Sequence, residues 1–83
     1  LEVNRKNIVS ILINDKGRVL MDDKPAKIKN IKSIAEKQIA SNSNIIFSVL
    51  THKNTKYRDY ILVLDQLKQA NATKISIANP PSF

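Results

Sequence analysis

The sequence predicts an α+β domain: a small mixed β-sheet in the order β-β-α-β-α-β, with two helices packed on one face. Three observations carry that expectation. Runs rich in β-branched residues occur at 8–14, 45–51 and 74–78. Between them, apolar residues recur at helical spacing over 28–39 and 57–67. Helices that separate strands imply right-handed crossovers, which lay both helices on the same side of the sheet.

The first run, Ile8-Val9-Ser10-Ile11-Leu12-Ile13-Asn14, sets Val9, Ile11 and Ile13 on one face and Ile8, Ser10, Leu12 and Asn14 on the other. Asp15-Lys16-Gly17 follows, with the single glycine of the chain where a tight turn needs a positive φ. Val19-Leu20-Met21 returns to complete a hairpin. Asp22-Asp23-Lys24-Pro25 reads as a second turn, because Pro25 fixes φ and removes a donor. Ile28, Ile31, Ile34, Ala35 and Ile39 then form one face of a helix whose other face carries Lys29, Lys32, Glu36 and Lys37. Ser41-Asn42-Ser43-Asn44 ends it, since these side chains compete for the backbone.

Ile45 to Thr51 is nearly continuously apolar and reads as a central strand buried on both faces. After the polar loop His52-Lys53-Asn54-Thr55, a helix is expected over Lys56–Gln69. Tyr57, Tyr60, Ile61, Leu64 and Leu67 form its packed side, and Arg58, Asp59, Asp65 and Lys68 lie away from it. Asn71 stands where a left-handed cap is needed. Lys74-Ile75-Ser76-Ile77-Ala78 is the last strand, and Asn79-Pro80-Pro81 ends the ladder.

Composition narrows the function. The chain has 83 residues and no cysteine, so disulfides, thiolate nucleophiles and Cys-based zinc sites are excluded. With a single histidine, His52, a two-His metal site is excluded as well. No nucleophile elbow, phosphate-cradling glycine loop or HExxH helix is present. The pair Asp22 and Asp23 reads as turn chemistry rather than as an acid/base couple. The expectation is therefore a protein that is not an enzyme and needs no cofactor or metal. Fourteen Lys and Arg against seven Asp and Glu give a net charge of +7, which favours an anionic partner over a merely solvated surface only about evenly. Lys53, Lys56 and Arg58 form the candidate anionic-ligand surface. A nucleic-acid module of the RRM type would show aromatic residues on its strands, and the strands here hold only Phe47. A small basic nucleic-acid-binding module is therefore only a distant third reading, and nucleic acid is not an expected partner.

Several of these segments together resemble the periplasmic domain of the ExbD/TolR family. They are the hairpin turn Asn14-Asp15-Lys16-Gly17, Pro25 before an amphipathic helix, and a buried strand. The most specific stretch runs from Lys56-Tyr57-Arg58-Asp59-Tyr60 through Leu64-Asp65-Gln66-Leu67-Lys68 to Asn71. It leads into Lys74-Ile75-Ser76-Ile77-Ala78. The likeness covers residues 8–81 and rests on the order and spacing of several loose motifs. Arg58 and Asn71 stand where the family usually has glycine, and His52 where an acidic residue is common. Lys27 is near the place of a Ser or Thr cap.

The resemblance implies one periplasmic domain over 8–81, with 1–7 as an approach segment or swapped arm and 82–83 as a tail. It implies a single-pass inner-membrane protein whose membrane helix, outside these residues, handles protons with an ExbB/TolQ-like channel partner. The domain would act as a homodimer in a motor driven by the proton-motive force, engaging a TonB- or TolA-like transducer. TolR-like members would bind peptidoglycan instead. A physical route to the transducer is main-chain pairing at an edge strand. The candidate edges are Val19, Leu20 and Met21 on one side and Lys74, Ile75, Ser76 and Ile77 on the other.

Overall fold

The computed structural model describes residues 7–78. Five strands, β1 (Ile8–Ile13), β2 (Val19–Met21), β3 (Lys24–Ala26), β4 (Ile46–Thr51) and β5 (Ile75–Ala78), form one sheet in the order β3-β2-β1-β4-β5. β1, β2 and β3 pair antiparallel, while β4 runs parallel to both β1 and β5. The helices α1 (Ile31–Ser41) and α2 (Tyr57–Gln69) occupy the two parallel crossovers. Both crossovers step the same way across the sheet, so right-handedness puts α1 and α2 side by side on one face.

The first turn follows from its sequence. Asn14 Oδ1 accepts from the N–H groups of Lys16 (2.9 Å) and Arg18 (2.8 Å), and Gly17 takes φ 77°. This is a three-residue hairpin loop with glycine at its left-handed position. The second turn is tighter than the sequence predicts. Only Asp22 and Asp23 turn, both at positive φ (50° and 67°), which is a two-residue hairpin connection. Lys24 to Ala26 therefore pairs back on β2 as an additional strand. Val19-Leu20-Met21 is consequently an interior strand flanked by β1 and β3, not an edge. Pro25 tolerates that third strand because it lies at the margin of the sheet, where a missing N–H leaves no ladder partner unsatisfied.

One face of the sheet carries the core. Val9, Ile11 and Ile13 of β1 align with Phe47, Val49 and Thr51 of β4, and Met21 and Val19 stand opposite Ile11 and Ile13. Ile31 and Ala35 of α1 and Val63 and Leu67 of α2 close over them. β4 is thus interior, beside the central β1, but covered on one side only: Phe47 and Val49 are fully buried, whereas Leu50 is 36% exposed. The expected burial of both its faces fails because both helices lie on the same side.

α2 is rolled relative to the apolar stripe its sequence predicts. Val63 enters the core, while Tyr57 (74% exposed) and Ile61 face outward, and Leu64 is half-buried. Asp59, expected on the polar side, is only 9% exposed. Its carboxylate packs so closely on the first hairpin that a Cβ at Gly17 would lie 2.8 Å from Asp59 Oδ2. As a first-turn residue of α2, Asp59 is also favoured by the positive end of the helix dipole.

The helix ends are finished in different ways. Asn71 at φ 63° terminates α2, with the Ala72 N–H donating to Leu67 O (3.0 Å) and the Asn71 N–H to Lys68 O (3.0 Å). That pair of bonds is a Schellman motif, the left-handed cap the sequence predicts. α1 receives its N-terminal cap from its neighbour instead. The Lys32 N–H donates to Gln66 Oε1 of α2 at 3.0 Å. The proposed swapped arm at the N-terminus and the Pro80-Pro81 stop lie outside the described residues.

Candidate partner-binding surfaces

The margins of the sheet differ in what they offer a second chain. At the β5 margin, the Phe47 N–H donates to Lys74 O at 2.9 Å, and Phe47 stands opposite Ile75. In a parallel ladder of that phase, Lys74 and Ser76 turn their main-chain groups toward β4. Ile75 and Ile77 turn theirs away from it, toward the margin. Ile77 is 52% exposed. At the β3 margin the outward residue is Pro25, since Lys24 and Ala26 flank it in pairing with β2. Pro25 presents a carbonyl but no N–H. Of the residues singled out as edges from the sequence, Ile75 and Ile77 thus hold the pairing groups, and Lys74 and Ser76 spend theirs on β4.

The basic candidates Lys53, Lys56 and Arg58 are all exposed and cluster where β4 passes into α2. The loop that carries them is held tightly. The His52 N–H donates to Thr55 Oγ1 (2.8 Å), the Thr55 hydroxyl donates to Ile13 O (2.8 Å), and the Asn54 N–H donates to His52 Nδ1 (3.1 Å). His52 therefore organises the loop through its ring nitrogen. Lys56 is the N-cap residue of α2 and makes no side-chain cap bond, so Lys56 and Arg58 stand at the positive end of the helix dipole, where Asp59 of the first turn offsets them.

The face of the sheet left uncovered among the described residues presents a surface that the alternating pattern of β1 contained but did not rank. Pro25, Leu20, Leu12 and Leu50 stand opposite one another in an unbroken row across four strands. Leu12 is 40% exposed. Beside that row, Ser10, Ser48 and Ser76 form a polar one. Phe47, the aromatic residue of the described strands, is buried under the helices and offers no stacking platform to a base.

Among the described residues the helix-backed sheet leaves one pairable margin and one apolar face uncovered, and it defines the chain as a small α+β domain. Comparison with known families places it more closely. Residues 2–82 match the family described as Biopolymer transport protein ExbD/TolR, and the chain belongs to that family of membrane-anchored transport components. Comparison with curated proteins gives no match. No helix among the described residues is long and apolar enough to cross a membrane.

Proposed function

We propose that this chain is the periplasmic part of an inner-membrane component of a motor driven by the proton-motive force. It couples proton flow to a TonB- or TolA-like transducer by binding it, without catalysis. The coupling is mechanical: an ExbB/TolQ-like channel partner reorients two copies of the domain, and a transducer segment paired with the domain feels the movement. Membership in the biopolymer transport family supports the transport role. The outward main-chain groups of Ile75 and Ile77 are the observation that carries the binding mode, since an extended segment added there continues the sheet.

The test is amide hydrogen exchange with and without peptides from the periplasmic part of the cognate transducer. Strand addition slows exchange at Ile75 and Ile77 and leaves Ser76, already turned to β4, little changed. Ile77→Pro removes an outward N–H and weakens binding by about tenfold or more, while the fold survives. Unchanged binding by that variant would rule out pairing at β5.

A second reading, binding to peptidoglycan in the manner of TolR-like members, is favoured by the cluster of Lys53, Lys56 and Arg58. The carboxylates of peptidoglycan stem peptides complement these cations. Cosedimentation with purified cell wall that disappears in Lys53→Glu/Arg58→Glu, and persists in Ile77→Pro, would assign that role to the loop.

A further inference from the structure

Two hollows adjoin at the β2–β3 hairpin, and Arg18 stands in the wall of both. One, of about 300 Å³, lies on the uncovered face over Leu12, Leu20 and Pro25. The other, of about 760 Å³, runs past the end of β3 toward the start of α1 and is lined by Lys27, Lys29 and Ile34 among others. Arg18, Val19 and Pro25 line both, so the two hollows adjoin around the β3 margin as one candidate groove: the smaller is walled by Leu12, Leu20 and Pro25 on the open face, and the larger has Lys27 and Lys29 among Ala26, Ile28 and Ile34. No Asp or Glu among the described residues lines either hollow. Asp59, which approaches Gly17 in the wall of the larger hollow, is nine-tenths buried, and Asp22 lines a neighbouring hollow that shares Pro25, Ala26 and Ile34 with it.

We propose that this groove binds a partner peptide in which carboxylate side chains alternate with apolar ones. An apolar side chain of the peptide fills the hollow over Leu12, Leu20 and Pro25, and its neighbouring carboxylates meet Arg18, Lys27 and Lys29. The groove is distinct from the β5 margin and does not rest on strand addition there. Because Pro25 lacks an N–H, an incoming chain cannot continue the ladder at β3, so recognition falls to side chains. Charge selects the occupant. A second copy of this chain would bring the same three cations against these three, on a molecule already at +7. A polyanion without apolar side chains would leave the hollow over Leu12 unfilled.

The test uses a fluorescein-labelled decapeptide of alternating glutamate and leucine, read by anisotropy and by amide chemical shifts of the isotope-labelled 83-residue chain. Binding is expected, with shifts confined to residues 12–20 and 25–30. Arg18→Glu and, separately, Lys27→Glu/Lys29→Glu, all exposed positions, weaken it by about tenfold. Lys53→Glu leaves it unchanged. A decapeptide of alternating glutamate and serine, which has the charge without the apolar side chains, binds about tenfold more weakly. Equal binding of that serine peptide overturns the proposal, as do shifts centred on Ile75 and Ile77. So does self-association in sedimentation that depends on Arg18, or equal Arg18-dependent binding to vesicles containing phosphatidylglycerol.

Discussion

Ile11 and Leu12 are neighbours on β1, similar in size and in hydrophobicity, yet Ile11 is fully buried and Leu12 is 40% exposed. Each has apolar partners on both adjacent strands: Met21 and Val49 beside Ile11, Leu20 and Leu50 beside Leu12. The difference lies above the sheet. Both α1 and α2 lie on the side that Ile11 faces, and the row containing Leu12 has no cover among the described residues. Contiguous apolar surface left open on a small domain marks a place where something else binds. The covered face holds the fold together, and the other, uncovered among the described residues, is the one proposed above to meet a partner.

The largest effect expected from that contrast is at Phe47. Phe47→Ala should cost about 3–5 kcal/mol, close to the whole stability of a domain of this size. Leu50→Ala, three residues along the same strand but on the open face, should cost under about 1 kcal/mol. Urea denaturation of both variants measures the difference, and equal costs would mean that the open face is packed in solution. Next comes Gly17→Ala, expected to cost about 1–3 kcal/mol from its positive φ and from contact with the Asp59 carboxylate. Adding Asp59→Ala should recover the contact part of that loss and leave the backbone part, which a double-mutant cycle separates.

A smaller effect of opposite sign is expected at Gln38 of α1, whose buried Oε1 has no hydrogen-bond partner among the described residues. Gln38→Leu removes an unsatisfied acceptor and should raise stability by about 1 kcal/mol in the same denaturation experiment. The smallest change is expected for Leu12→Thr. A β-branched residue suits a half-exposed strand position, so stability should move by no more than about 0.5 kcal/mol. Binding of the glutamate–leucine peptide should nonetheless fall. A Leu12→Thr variant as unstable as Phe47→Ala would erase the distinction between the faces.

The margins repeat the lesson on the backbone. β3 and β5 both end the described sheet, but one presents a proline and the other two residues with outward N–H and C=O groups. The two proposals divide accordingly, with side-chain recognition at β3 and main-chain pairing at β5.

Features governed by one or two neighbouring residues were legible in the sequence. Gly17 and Asn71 announced left-handed positions, because few residues accept positive φ at low cost, and both adopt it. Both helices, their place on one face, and four of the five strands follow from periodicity and crossover handedness. The strand Lys24–Ala26 was hidden by Pro25, which reads locally as a turn and is tolerated as a strand only because it falls at a margin. The interior position of Val19–Met21 was hidden with it.

Within the candidate sites, the basic loop of Lys53, Lys56 and Arg58 and the β5 strand could be named from local pattern. The groove at Arg18 could not, since its walls come from β1, from the hairpin and from the approach to α1, as far apart as Leu12 and Ile34. The roll of α2 that buries Asp59 and the cap that Gln66 provides for α1 belong to the same class. Local backbone preference is written into each residue and its neighbours, so the chain alone determined where it turns, coils and extends. Which side of each element is covered depends on the order of strands and the docking of two helices. Contacts between residues distant in sequence decide that, and only the tertiary structure contains them.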